Sequence, residues 1–90
     1  MIESPVDVVN RLGLHARAAA KLVHLASRFA SHVHLITADG EEIDAKSFLG
    51  ILLIAAGQGT SLRLRCDGAD EAQASAEILA LFADRFGEGE

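Results

Sequence analysis

A histidine and an arginine two residues apart form the pair in this sequence best suited to chemistry. His15 follows a glycine-containing turn at the start of an alanine-rich run, and Arg17 lies inside that run. The first amides of a helix have no intrahelical acceptor, and with the helix dipole they stabilise an anion placed there. The amides of Ala16 and Arg17 and the Arg17 guanidinium are suited to hold the oxygens of a phosphoryl group on His15. This segment therefore predicts a phosphoryl-carrying site.

Histidine is chemically appropriate for such a site. A phosphoryl carrier needs a bond to phosphorus that forms and breaks readily. A phosphoimidazole offers such a bond, whereas a phosphate ester of serine is too stable. The attacking ring must be neutral, and histidine titrates near neutral pH. The alternative is that His15 is a surface residue ending a loop, although histidine is not a preferred N-cap. Spacing alone leaves both interpretations open.

Length and charge restrict the class of protein. Ninety residues make one domain, 1–90, and the formal net charge of −5 disfavours nucleic acid and anionic membrane surfaces as partners. Cys66 is the single cysteine, so no internal disulfide is expected, in keeping with a reducing compartment. The apolar run at 48–56 is too short to span a membrane, and the first residues do not resemble a signal peptide. We therefore expect a cytoplasmic protein without direct membrane binding.

Hydrophobic periodicity predicts seven elements in the order βαββαβα. The predicted strands are 2–9, 31–37, 42–45 and 61–67, and the predicted helices are 16–29, 48–55 and 69–86. Four strands cannot bury one face alone, so three helices must cover one face of an antiparallel sheet. The predicted fold class is α+β, a two-layer open-faced sandwich, with residues 87–90 expected to fray.

Individual residues refine this prediction. Pro5 places the first strand at a sheet edge, because proline cannot donate to a ladder. His32 and His34 share one face of a strand, and we interpret them as solvated rather than as half of a metal site, so neither a metal nor a cofactor is expected. The apolar stripe of the last helix is predicted at Ala72, Ala76, Leu79, Phe82, Ala83 and Phe86. That of the first helix is predicted at positions 16, 19, 22, 23, 26 and 29.

Two blocks of the sequence resemble the histidine-containing phosphocarrier (HPr) family of the bacterial phosphotransferase system. The first block is Gly13-Leu14-His15-Ala16-Arg17-Ala18-Ala19-Ala20. The second block is Lys46-Ser47-Phe48-Leu49-Gly50, followed by Ala56-Gly57-Gln58-Gly59. Length and element order agree along the whole chain. One position departs from the family: Ala18 stands where proline is usual, and because alanine is the best helix former the first turn should soften without being lost.

The resemblance implies a mechanism. Nδ1 of His15 would take a phosphoryl group from phosphorylated Enzyme I, itself charged by phosphoenolpyruvate, and Arg17 would neutralise the phosphate. His15 would then pass the group to a sugar-specific acceptor domain of the EIIA type. On this reading the chain is a phosphocarrier without independent turnover rather than an enzyme.

The segment 48–54 is almost wholly apolar and offers a docking surface. A short helix cannot bury every side, so part of it should be exposed near the site, and a fully buried helix is the alternative. The resemblance implies that partners dock on a set of residues from both helices: Ala20, Lys21, Phe48, Leu49 and Leu52.

Ser47 has two interpretations. Its position before the apolar run is typical of a helix N-cap. The resemblance adds that a serine at this motif position is phosphorylated in some bacteria by an HPr kinase/phosphorylase, and a charge beside the docking surface would block partners.

Other functions remain open at this point. A nitrogen-branch regulatory carrier would use the same histidine chemistry, and a regulatory binding module would be controlled through Ser47. A small hydrolase of the acylphosphatase type would need a phosphate-cradling loop with a catalytic asparagine, which Asn10-Arg11-Leu12-Gly13 matches poorly. Nothing in the sequence indicates a stable oligomer, so a monomer is expected.

Overall fold

The chain forms one four-stranded antiparallel sheet, which a computed structural model describes together with its helices over residues 1–90. The strands are β1 (Ile2–Asp7), β2 (His32–Ile36), β3 (Glu42–Asp44) and β4 (Ser61–Asp67). The helices are α1 (Ala16–Ala26), α2 (Phe48–Leu53) and α3 (Glu71–Ala83). The strand order β1-β4-β2-β3 confirms the predicted fold and places Pro5 on an edge strand, as predicted.

Alternation along β4 separates a dry face of the sheet from a wet one. Leu62, Leu64 and Cys66 are buried, whereas Arg63 and Arg65 lie on the opposite face. In a strand, successive side chains point to opposite sides of the sheet, so this pattern fixes which face the helices must cover. The helices and the dry face share a single apolar core.

Aromatic residues are few in this core, and two of the three lie at the end of α3 and in the turn that follows it. Phe29, Phe82 and Phe86 are buried, and the rings of Phe82 and Phe86 meet edge to face with centroids 4.9 Å apart. Most of the remaining core is alanine, valine, leucine and isoleucine. The fourth phenylalanine, Phe48, is left out of the core and is exposed.

The apolar stripe predicted for α3 is wrong at its alanines. Ala72, Ala76 and Ala83 are exposed, whereas Ala74 and Ile78 are fully buried. This helix is apolar on several sides, so its alanines carry little information about orientation. The larger side chains decide which face is buried.

Each helix ends earlier than predicted. After Ala26 the chain continues in tight turns, in which the amides of Arg28 and Phe29 bond to carbonyls three residues back. After Leu53 the backbone of Ala55 adopts φ +47°, a left-handed conformation that ends a helix. None of the three helices is long and apolar enough to cross a membrane.

The expectation that residues 87–90 fray is wrong. After α3, Arg85 and Phe86 adopt φ of +55° and +54°, and Arg85–Gly87 forms a short 3₁₀ turn with the Phe86 ring buried. The chain then returns to the loop before α1, where the Arg11 amide donates to the Glu90 carbonyl at 2.9 Å. The buried ring and these hydrogen bonds hold a segment that is polar by composition.

A half-buried carboxylate, Asp70, joins the start of α3 to the start of β2. Asp70 accepts hydrogen bonds from the amides of Ala30 and Ser31, at 2.9 and 3.0 Å, and from the Ser31 hydroxyl. The pKa of Asp70 is lowered from 3.8, chiefly by the hydrogen bond from the Ser31 hydroxyl and next by the bond from the Ala30 amide. A lowered carboxyl pKa means that this contribution to stability is present above pH 3.8 and is lost as the pH falls further.

We therefore expect Asp70→Asn to cost stability at neutral pH and to cost progressively less as the pH falls below 3.8. Urea unfolding across a pH series measures the difference between the two proteins. Asp84→Asn is the matched control, because it removes the same charge from an exposed residue without a capping bond. A difference that stays constant through the acid range would contradict the role assigned to Asp70.

Candidate functional site

The loop between β1 and α1 is shaped by a glycine and by contact with the 56–59 segment. Gly13 has φ +70°, in the left-handed region that glycine adopts without strain. The Leu14 amide donates to the Ala56 carbonyl at 2.8 Å, and the Gly59 amide donates to the Val8 carbonyl at 2.8 Å. The first sequence block and the end of the second are therefore in direct contact.

His15 is the N-cap of α1, with extended backbone torsions of φ −71° and ψ 178°. Its ring nitrogens have different partners. Nδ1 accepts a long hydrogen bond, 3.3 Å, from the Arg17 amide. Nε2 lies 2.5 Å from Oε2 of Glu88. The side chain is 29% exposed, so a partner protein can reach the ring. The two contacts fix the orientation of the ring.

Arg17 and Ala16 lie beside the ring. A shallow depression is lined by His15, Ala16 and Arg17 together with Leu12 and Glu88. The Arg17 guanidinium forms no ion pair within the protein, and the Ala16 amide donates to no acceptor there. The Arg17 amide is occupied by His15 Nδ1. The structure thus brings the predicted phosphoryl-binding residues together, with the Arg17 guanidinium and the Ala16 amide free and the Arg17 amide bonded to the ring.

Glu88 and Asn10 were missed by the sequence analysis as part of this site. Asn10 is fully buried, and its Nδ2 donates to the Gly13 carbonyl at 2.8 Å and to Oε1 of Glu88 at 3.0 Å. Hydrogen bonds from Asn10 and then from His15 lower the pKa of Glu88 from its ordinary value. Asn10 continues the buried alternation of Val6 and Val8, which was an available signal. Glu88 lies between two glycines and gave none.

Part of α2 is exposed, which excludes the fully buried alternative. Ile51 faces the core, Leu52 is half-buried, and Phe48, Leu49 and Leu53 are 41%, 65% and 74% exposed. Helix α2 packs against α1. Leu53 was not among the predicted docking residues, although its aliphatic side chain is the most exposed of the five.

The α1 residues predicted for docking have different environments. Ala20 is exposed, and it lines an open groove with Arg17, Lys21 and Leu81. Lys21 is also exposed, but its Nζ donates to the Phe86 carbonyl at 2.6 Å. Its ammonium group therefore binds the turn after α3.

Ser47 occupies the N-cap of α2. Its Oγ accepts a hydrogen bond from the Gly50 amide at 3.1 Å, and the residue is half-buried. This is the geometry of the N-cap interpretation. Phe48 and Leu49 follow directly, so any change of charge at Ser47 acts beside the exposed apolar side chains of α2.

Comparison with known proteins decides the family. A family model described as "PTS HPr component phosphorylation site" matches residues 2–84. This chain belongs to the HPr family of phosphocarrier proteins. Phosphocarrier protein HPr of Cupriavidus necator is 48% identical to it over 90 residues, covering 100% of each chain. The HPr of Xylella fastidiosa strain Temecula1 is 50% identical over 88 residues, covering 98% of each.

Solved HPr structures confirm the fold. HPr-C-His from Thermoanaerobacter tengcongensis matches with a TM-score of 0.95 at 34% identity, covering 100% of both chains. A structure described as an HPr dimer from the same organism matches with a TM-score of 0.78 at 36% identity, covering 98% of this chain and 100% of that one. The resemblance to HPr seen in the sequence is therefore confirmed.

Proposed function

We propose that this HPr-family chain carries a phosphoryl group on Nδ1 of His15. It receives the group from phosphorylated Enzyme I and delivers it to sugar-specific acceptor domains of the EIIA type. The observation that carries the proposal is the position of His15: a partly exposed N-cap whose depression also contains the unpaired Arg17 guanidinium. The domain 1–90 acts as a single unit and as a monomer.

The chemistry follows from the groups around the ring. The Nδ1 lone pair gives up its long hydrogen bond from the Arg17 amide and attacks phosphorus, and the bond from phosphorus to the donor nitrogen breaks with its electron pair going to the donor. The Arg17 guanidinium neutralises negative charge on the phosphoryl oxygens, and the Ala16 amide and the released Arg17 amide donate hydrogen bonds to them. Phosphorylated His15 is the product of this step and the phosphoryl donor in the next. The chain is therefore a carrier with no turnover of its own.

Incubation with phosphoenolpyruvate and Enzyme I tests the proposal, with intact mass as the readout. We expect the mass of one phosphoryl group to be added, to be lost in acid as phosphohistidine is, and to be absent in His15→Ala. An acid-stable adduct, or an adduct that persists in His15→Ala, would place the phosphate on another residue. No adduct with the Enzyme I of the same organism would contradict the proposal.

Docking is proposed on the exposed side of α2 and the neighbouring part of α1. We expect Leu49→Ala to raise the KM for phosphorylated Enzyme I by about tenfold, as interface anchors do. Its unfolding free energy should change by less than about 0.5 kcal/mol, because the residue is 65% exposed. Ile36→Ala, on the helix-free face of the sheet, is the control. Equal KM values for the two variants would contradict docking on α2.

Ser47 is proposed as the regulatory position and as a target of an HPr kinase/phosphorylase. A phosphate there adds negative charge directly beside Phe48 and Leu49, which opposes burial of those side chains against a partner. The test is Ser47→Asp, with Ser47→Ala as a control for loss of the cap. Slower loading from Enzyme I in the aspartate variant alone supports regulation, and equal loading in both argues against it.

A further inference from the structure

Each carboxylate oxygen of Glu88 has a hydrogen-bond partner, and one of these partners is Nε2 of His15. Oε1 accepts from Nδ2 of Asn10 at 3.0 Å, and Oε2 lies 2.5 Å from Nε2 of His15. The Glu88 side chain is only 16% exposed. Asn10 is itself fixed, because it is fully buried and its Nδ2 also donates to the Gly13 carbonyl. The carboxylate is therefore bonded at the same loop that presents His15.

Further bonds on either side of Glu88 fix the segment that delivers it. The carbonyl of the buried Phe86 accepts from Lys21 Nζ at 2.6 Å. Beyond Glu88, both the carbonyl and the side chain of Glu90 accept hydrogen bonds from Arg11. These bonds hold the chain on both sides of Glu88, so the contact between Glu88 and His15 is a fixed feature of the fold.

The two contacts of the ring select the same tautomer. An ionised carboxylate has no proton to donate, so the short contact with Glu88 requires the ring proton to be on Nε2. The Arg17 amide donates to Nδ1, which requires a lone pair there. Hydrogen bonds to Glu88 lower its pKa and keep the carboxylate ionised. Each contact thus excludes the tautomer with its proton on Nδ1.

We propose that Glu88 is a positioning residue for phosphoryl transfer, holding His15 as the Nε2–H tautomer with Nδ1 as the nucleophile. The inference rests on the proposed function, since it concerns the nucleophile of that reaction. Glu88 acts through the imidazole ring and does not touch the phosphoryl group.

Glu88 also has an electrostatic part in the step. When Nδ1 forms its bond to phosphorus, the bond between phosphorus and the donor nitrogen breaks and its electron pair leaves with the donor. No proton leaves His15, so the ring becomes a cation that retains its Nε2–H. The carboxylate bonded to that N–H stabilises the developing charge, as a carboxylate behind a catalytic histidine does. When the phosphoryl group leaves, the ring loses its positive charge, and the hydrogen bond to Glu88 keeps the proton on Nε2.

The direct test observes the proton on Nε2 of His15 by ¹H–¹⁵N NMR of the ring. We expect the wild-type protein to show an Nε2–H that exchanges slowly with solvent, because it is bonded to Glu88. Glu88→Gln should lose this signal: Asn10 and His15 donate to different carboxylate oxygens, and glutamine replaces one of these oxygens by an NH2 group that cannot accept. Glu41→Gln, which removes the same charge from an exposed residue between β2 and β3, should keep it. An unchanged Nε2–H signal in Glu88→Gln would overturn the proposal.

The kinetic test uses phosphoramidate, a small phosphoryl donor that requires no docking surface. We expect His15 in Glu88→Gln to be phosphorylated about tenfold more slowly than in the wild type, and Glu88→Asp to recover part of the rate. Glu41→Gln, which removes the same charge from an exposed residue between β2 and β3, should stay within about twofold, since no bond to the ring or to the segment that carries Glu88 is changed. Equal rates in Glu88→Gln and Glu41→Gln would overturn the proposal even if His15 is an efficient acceptor. If the wild type accepts no phosphoryl group from any donor, the proposed function fails, and the Nε2–H signal still decides whether Glu88 sets the tautomer.

Discussion

Gly13→Ala is expected to lower the free energy of unfolding by about 3 kcal/mol and to slow phosphoryl loading of His15. Gly13 has φ +70°, where an L side chain is strained. A Cβ at this position would lie 2.5 Å from the Ala56 carbonyl oxygen and 2.8 Å from Gly57 Cα. Both are backbone atoms, so no side chain can rotate away and the loop itself must move. That loop sets the position of His15.

Gly40→Ala separates strain from collision. Gly40 has φ +90°, but a Cβ there would meet nothing within 4 Å. It should therefore cost only the strain, about 1–2 kcal/mol, and leave phosphoryl loading unchanged. Urea unfolding and the initial rate of loading from Enzyme I measure the two effects. Equal losses of stability in the two variants, or wild-type loading in Gly13→Ala, would contradict the role assigned to this contact.

Phe86→Ala is expected to lower the free energy of unfolding by about 3–5 kcal/mol. The Phe86 side chain is 1% exposed, and it contacts Phe82 edge to face. Its loss should also release Glu88 from His15. Phe86 and Arg85 both adopt left-handed backbone conformations, which a non-glycine residue keeps only when its surroundings enforce them. Without the ring, little holds the turn in that strained form.

Phe86→Leu keeps the experiment informative if the alanine variant fails to fold. Leucine retains an apolar anchor, so the stability loss should be smaller and the segment after the turn should stay in place. Urea unfolding gives the stability, and the His15 Nε2–H signal reports the contact with Glu88. If Phe86→Ala unfolds like the wild type, or loses stability while that signal persists, the turn is not what positions Glu88.

The fold could be predicted from sequence because its strands alternate and its turns carry glycine. In β4, Leu62, Leu64 and Cys66 alternate with arginines, which determines both the strand and its buried face. The alanine-rich α3 shows where such reasoning fails. An alanine fits equally well on the buried or the exposed side of a helix, so Ala72 and Ala76 were assigned to the wrong face.

The candidate site could likewise be predicted only in part. His15, Arg17 and Ser47 belong to local motifs at helix starts, and local motifs can be recognised in a sequence. The contact between Glu88 and His15 joins residues 73 positions apart. It depends on the buried ring of Phe86 and on two left-handed residues after α3. A segment of alternating glycine and glutamate predicts fraying, and only tertiary packing shows that it is held.

We propose that His15 carries a phosphoryl group between a donor and an acceptor, and discharge tests this more directly than loading. The protein is loaded with ³²P from phosphoenolpyruvate, separated from Enzyme I, and mixed with EIIA-type acceptor domains from the same organism. We predict that the label moves from this protein to an acceptor, with sugar-branch acceptors discharging it and nitrogen-branch acceptors much less. Label that moves only to a nitrogen-branch acceptor would assign the chain to regulation. Label that stays on the protein, or is released only to water, would contradict the claim that it is a carrier.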